Sequence, residues 1–128
     1  MRMGIKGSVS TDAHQMKISA SLLSSRDMFV AISNSGETLE LIEAAKIARN
    51  QGAYVVVITN FEGSALTKNA DLVLITTAQS SNNDSKFINS QIATLFLLDI
   101  VSYLLLNDTH MHHVYQQTRD VILGNEKE

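Results

Sequence analysis

Phe29-Val30-Ala31-Ile32-Ser33-Asn34-Ser35-Gly36-Glu37-Thr38-Leu39 carries an apolar run into a turn of small hydroxyl residues, and the turn into an amphipathic segment. This order decides the fold, because it sets a helix start at the end of a strand. The first N–H groups of a helix have no partner within it, and the helix dipole is positive there. Hydroxyls gathered at such a start make a site for an anion, typically a phosphate. Ser33, Ser35 and Thr38 are spaced to offer oxygens to one phosphate, Asn34 offers its amide, and Gly36 lets the backbone turn sharply towards a ligand. On these residues alone a plain capped turn is the alternative, since serine and threonine before a helix commonly act as caps. Glu37 weighs against an anion unless its carboxylate points away, because a charge there repels phosphate.

Outward from this stretch, strands and helices alternate. Ile5 to Val9 reads as a strand candidate, and Asp12 caps a helix from Ala13 to about Leu23. Met28 to Ser33 is a strand whose continuous apolar run suits a sheet covered on both faces. Thr38 to Asn50 is a helix with Leu41, Ile42, Ala45 and Ala48 along one stripe, ended by Gln51-Gly52. Tyr54-Val55-Val56-Val57-Ile58-Thr59 is a strand rich in β-branched residues. A short helix capped by Ser64 runs to Asn69, and Asp71 to Thr76 is the last strand. Ala78 to Ser85 is a polar loop, followed by helices Lys86 to Leu106 and Asp108 to about Leu123. The alternation implies right-handed βαβ units and a parallel sheet. Binding sites in such sheets lie at the carboxyl ends of strands, where Ser33 to Thr38 and Thr59-Asn60 fall.

The 128 residues suit one domain, and 45% hydrophobic content suits a globular one. A net charge of −3 supplies no basic footprint, so this chain by itself is not expected to bind nucleic acid. The absence of cysteine excludes disulfides, thiolate metal sites and cysteine nucleophiles, and accords with a cytoplasmic location. The apolar run Ile92 to Leu106 contains Thr94, Asp99 and Ser102 and falls short of the ~20 residues that span a bilayer. It reads as a buried helix, and no signal peptide or membrane association is expected.

Ala31-Ile32-Ser33-Asn34-Ser35-Gly36-Glu37-Thr38, Glu43-Ala44-Ala45-Lys46, Val56-Val57-Ile58-Thr59-Asn60, Ser64-Ala65-Leu66-Thr67 and Ala70-Asp71 together resemble the SIS (sugar isomerase) domain. The likeness covers about residues 5 to 106. Asp12-Ala13-His14-Gln15, Ser19-Ala20-Ser21-Leu22-Leu23 and Asp27 resemble more specifically the RpiR type, in which the domain is the ligand-sensing half of a bacterial transcription regulator. The resemblance implies a three-layer α-β-α domain with a parallel flavodoxin-like sheet, over residues 1–128. It implies a phosphosugar or related sugar acid phosphate as ligand, held by Ser33, Ser35, Thr38 and the amides around Gly36, with Asn34 beside them. Two departures stand against the family pattern. The first family strand and its glycine–serine loop are missing, so the domain reads as truncated at its N-terminus. The helix-turn-helix of an RpiR regulator is also absent, so DNA would be reached only through that absent part.

His14, in the first turn of a helix that lies near the sugar in the family, is a candidate for a sugar hydroxyl or for acid–base ring opening. A lone surface histidine is its alternative. Ser85 and Lys86 belong to a segment that faces the sugar in related domains, with a plain polar loop as the alternative. His110 and His113 share a helix face, but no third ligand accompanies them, and no metal or cofactor is expected. Glu43 and Lys46 read as a solvated pair. Apolar residues surround nearly the whole of the Lys86 to Leu106 helix, which implies cover by a partner subunit in a homodimer or tetramer. Phosphosugar sensing is the leading reading. Aldose–ketose phosphosugar isomerisation is the enzymatic alternative; it needs a positioned base, which neither Glu37 nor Glu62 supplies where the family would have it. A truncated oligomerisation domain without ligand affinity is the third.

Overall fold

A computed structural model describes residues 3–76 and 83–124, the side chains of 83–90 excepted. The elements run α1 (Ala13–Ser21), β1 (Met28–Ile32), α2 (Leu39–Asn50), β2 (Tyr54–Thr59), a single 3-10 turn (Thr67–Asn69), β3 (Leu72–Ile75), α3 (Asn83–Leu106) and α4 (Thr109–Leu123). The three strands form one parallel sheet in the order β1-β2-β3, with Ile32 opposite Ile58 and Thr59 opposite Ile75. This is an α/β fold, a parallel sheet flanked by helices.

The described residues divide into two compact units, one of residues 10–94 and one of residues 3–9 with 95–124. In the first, the apolar stripe of α2 explains the packing. Ile42, Ala44, Ala45 and Ala48 are buried against Ala31, Val55 and Val57, with Leu41 and Phe29 partly buried beside them. Alanines dominate this contact and let the helix approach the sheet closely. Helix α1 packs in turn on α2, starting at Asp12, whose carboxylate accepts the Gln15 N–H at 2.9 Å. Lys17 of α1 makes an ion pair with Glu43 of α2. Glu43 was expected to answer Lys46 within its own helix; the partner one helix away takes it instead.

In the second unit, Asp108 caps α4 by accepting the N–H groups of His110 and Met111, and Gly124 ends the helix in the left-handed conformation. Helices α3 and α4 meet at a bend of 99°. Leu95, Phe96, Tyr103 and Leu104 of α3 are 61–66% exposed, so the buried helix expected here is open in the isolated chain. Among the described residues no single helix is long and apolar enough to cross a membrane.

Four further expectations are corrected. Ile5 to Val9 is not a strand; the segment is without regular structure, exposed and outside the sheet. Its Lys6-Gly7-Ser8 centre has little to bury, and a strand forms only where a neighbour supplies ladder bonds. The continuous apolar run of β1 is not covered on both faces, since Met28, Val30 and Ile32 are 60%, 48% and 49% exposed on an edge strand. The Ser64 to Asn69 helix contracts to the Thr67–Asn69 turn, because its first residues are tied sideways to the turn after β1. Helix α3 begins at Asn83, inside the segment expected to be loop, so Ser85 lies on the first turn of a helix.

Candidate functional site

The register of β1 against β2 sets the turn after β1 beside the end of β2. Ser33 N–H still donates to Ile58 O at 3.0 Å, one residue beyond the strand. The chain then folds back on itself. Ser33 Oγ accepts the Gly36 N–H at 3.1 Å and lies 3.2 Å from Thr38 Oγ1. Ser35 Oγ accepts the Glu37 N–H at 3.2 Å. Thr38 is the N-cap of α2, yet its side chain makes no cap hydrogen bond. Thr38 therefore leaves the first N–H groups of α2 without its side chain as a cap, and the positive end of the helix dipole lies beside the hydroxyls of Ser33 and Thr38. Ser35 and Thr38 are exposed while Gly36 is buried, so the hydroxyls are presented on a backbone held from beneath.

Gly36 is required twice over. Its φ is +66°, a left-handed value that side chains disfavour. A Cβ at this position would stand 2.1 Å from Ser64 Oγ, 2.6 Å from Ser64 Cβ and 3.0 Å from Thr59 Oγ1. Ser64 is 6% exposed, and its hydroxyl has no hydrogen-bond partner among the described residues.

The turn is fastened to the ends of β2 and β3. Asn34 O accepts the Asn60 N–H at 3.1 Å and the Thr59 hydroxyl at 3.2 Å. Asn60 Nδ2 donates to Asn34 Oδ1 at 3.4 Å, and Thr76 Oγ1 donates to Asn60 Oδ1 at 2.7 Å. A second fastening lies further along, where Leu66 N–H donates to Gly36 O at 2.9 Å and Ala65 N–H to Glu37 Oε1 at 2.8 Å. The Glu37 carboxylate is thus drawn onto the neighbouring loop, which meets the condition its sequence position imposed.

Of the residues singled out from sequence, the structure gathers Ser33, Asn34, Ser35, Gly36 and Thr38 in one turn. His14 is exposed in the first turn of α1, and no hydrogen bond joins it to this turn among the described residues. Ser85 lies on α3, and its side chain, like that of Lys86, falls outside the described residues, as do residues 77–82. Among the described residues no three of His, Cys, Asp and Glu cluster as metal ligands. His112 Nε2 lies 3.3 Å from the Gln116 amide nitrogen. Thr59 and Asn60 were read from sequence as lying at a strand end of the site; the supporting parts of Ser64 and Thr76 were not. The signal is that polar residues close two adjacent β-branched strands, whose carboxyl ends meet at any site of this architecture. At the opposite end of the strands, an open depression of about 360 Å³ is lined by Ser25, Arg49, Tyr54 and Asp71. Asp71 serves there as a brace, accepting the Val55 N–H at 2.8 Å.

Comparisons with known proteins identify the family. The SIS domain family matches residues 2–102. An uncharacterized helix-turn-helix-type transcriptional regulator of Haemophilus influenzae is 34% identical over 125 residues, which cover 96% of this chain and 43% of that protein. The helix-turn-helix-type transcriptional regulator RpiR of Escherichia coli K12 is 30% identical over 124 residues, 95% of this chain and 42% of that one. The Vibrio vulnificus NanR protein, solved in complex with ManNAc-6P, superposes with a TM-score of 0.84 at 28% identity, over 99% of this chain and 48% of that one. The chain therefore spans less than half the length of each of these relatives. Because the family match runs through residues 2–102, most of its length, the chain belongs to the SIS domain family.

Proposed function

We propose that residues 1–128 act as the phosphosugar-sensing SIS domain of a cytoplasmic helix-turn-helix transcriptional regulator. The phosphate binds Ser33, Asn34, Ser35, Gly36 and Thr38, and His14 and Ser85 are the further candidate contacts to the sugar. One observation carries this reading: the Ser33 and Thr38 hydroxyls meet at 3.2 Å beside an α2 start whose N-cap side chain makes no cap hydrogen bond. The likeness to NanR, which was solved with a sugar phosphate, supports a phosphosugar over other anions. DNA contact belongs to the helix-turn-helix part that the names of the matched regulators specify. Copies of the chain associate through α3, whose exposed apolar residues support a homodimer or tetramer.

Sensing is favoured over isomerisation by the state of the carboxylates. Proton transfer between adjacent carbons needs a base free to reach the substrate. Glu37 is engaged with the Ala65 N–H, and Glu62, exposed in the turn after β2, makes no hydrogen bond to the hydroxyl turn among the described residues. Thermal unfolding of the chain against ManNAc-6P, other sugar phosphates and inorganic phosphate tests the reading. A ligand bound by the folded state raises the melting temperature by mass action. We expect a rise with at least one sugar phosphate, lost in Ser35→Ala and in Ser33→Ala. No rise across the panel overturns phosphosugar binding, and turnover of a bound sugar overturns sensing in favour of isomerisation.

A further inference from the structure

Glu37 stands where a free carboxylate would oppose a bound phosphate, yet it is spent on a contact 28 residues away in the chain. Its Oε1 accepts the Ala65 N–H at 2.8 Å, and the next amide, Leu66 N–H, donates to Gly36 O at 2.9 Å. These two adjacent bonds fix the Gly36–Glu37 peptide against the loop after β2. Between them and the Asn34–Asn60 bonds, the turn is held at both ends of its left-handed bend. Ser64 closes the space behind Gly36, so the bend has no room to relax inward. Within the second fastening, Glu37 supplies the side chain; the other three groups are backbone.

We infer that Glu37 is a positioning residue for the phosphate turn: it acts through the Ala65 amide to hold Gly36 and the hydroxyls in their binding arrangement, and it does not itself meet the ligand. This rests on the phosphate-binding reading of Ser33 to Thr38. The hydrogen-bonding capacity of the side chain matters here, and its negative charge does not. Charge repulsion and positioning therefore predict opposite signs when Glu37 is replaced.

The test uses the full chain as wild type, Glu37→Ala and Glu37→Gln. Titration calorimetry with inorganic phosphate and with ManNAc-6P measures affinity, and NMR amide exchange at Ala65 and Leu66 measures the fastening without ligand. Far-UV circular dichroism establishes that each variant is folded. Glu37→Ala is expected to lose about tenfold in affinity and to expose the Ala65 amide to faster exchange, at the scale of one lost hydrogen bond. Glu37→Gln, which keeps an acceptor oxygen, is expected to hold both within about twofold, since a neutral amide oxygen still accepts. Unchanged or tighter binding by Glu37→Ala overturns the inference, as does an equal loss in Glu37→Gln. If the wild type binds neither probe, Ala65 exchange still decides the fastening. Faster exchange in Glu37→Ala with rescue in Glu37→Gln supports it, and unchanged exchange in both overturns it.

Discussion

Gly36 faces Ser64 so closely that a Cβ added there would meet it, and the two residues make opposed predictions. Alanine at position 36 meets a left-handed φ, which alone costs about 1–2 kcal/mol, and collides with Ser64 Oγ at 2.1 Å. Gly36→Ala is expected to lower the midpoint of urea unfolding and abolish phosphate binding. In a Ser64→Gly background the steric part recovers and the left-handed penalty remains, a non-additivity that a double-mutant cycle reads directly. Ser64→Ala goes the other way. It removes a buried hydroxyl that no described group satisfies, and an unsatisfied buried polar atom costs about 1–3 kcal/mol. We expect stability to rise by about 1 kcal/mol, read as a higher urea midpoint, with phosphate affinity unchanged, because the Ser64 carbonyl still accepts the Thr67 N–H. Legibility from sequence differed sharply between these residues. Gly36 was readable because strand, serine turn and helix in succession demand a flexible residue there. Ser64 and the bond made by Glu37 were not, since each has its partner in a segment 28 residues distant, and the sequence does not display such pairings.

Among the elements, α2, β1 and β2 were legible to within a residue or so because apolar spacing and β-branched runs dictate what each can bury. Ile5 to Val9 failed as a strand for the complementary reason: strand formation depends on a neighbour, and nothing in those five residues specifies one. The short helix from Ser64 failed because side-on bonds to Gly36 and Glu37 outweigh a marginal local preference. The α1–α2 contact carries a pH signature. Lys17 holds the Glu43 carboxyl below its ordinary value of 4.5, first by a direct hydrogen bond and then by its charge, and Lys46 adds less. A carboxyl whose pKa is lowered on folding stabilises the native state above its unfolded pKa, and that contribution is lost as pH falls through the folded value. Stability should therefore decline on acidification from just above 4.5 downward. Glu43→Gln should lie below the wild type at neutral pH and converge with it in acid. The difference is small, because both side chains are well exposed. Parallel curves across that range in denaturant melts would separate Glu43 from the effect.

For the whole molecule, the distribution of apolar surface says more than its amount. The unit of residues 10–94 buries its alanine and valine core among α1, α2 and the sheet. Helix α3 instead leaves Leu95 and Phe96 each 66% exposed, Ile100 40%, Tyr103 66% and Leu104 61%. The apolar residues around nearly all of this helix were visible in sequence, and so was the implication that one chain could not cover them. Which residues stay open was not visible, because that depends on where the helix is packed. Ile100, Tyr103 and Leu104 recur at spacings of three and four, one side of a helix, with Phe96 a turn before. Surfaces of this kind on soluble chains are commonly covered by association. The chain is therefore expected to sediment as a dimer or tetramer at micromolar concentration. Phe96→Glu places a charge in the apolar patch, and burying an unpaired charge in an interface is strongly unfavourable. It should shift sedimentation towards the monomer by a factor of ten or more in dissociation constant. A matched control, Leu22→Glu, introduces the same charge at an exposed apolar residue (79%) in the C-cap of α1 and should leave association unchanged. If wild type and Phe96→Glu sediment alike as monomers, the apolar face of α3 does not serve self-association. If both remain dimeric, the contact lies on another face, and α3 is released from that role.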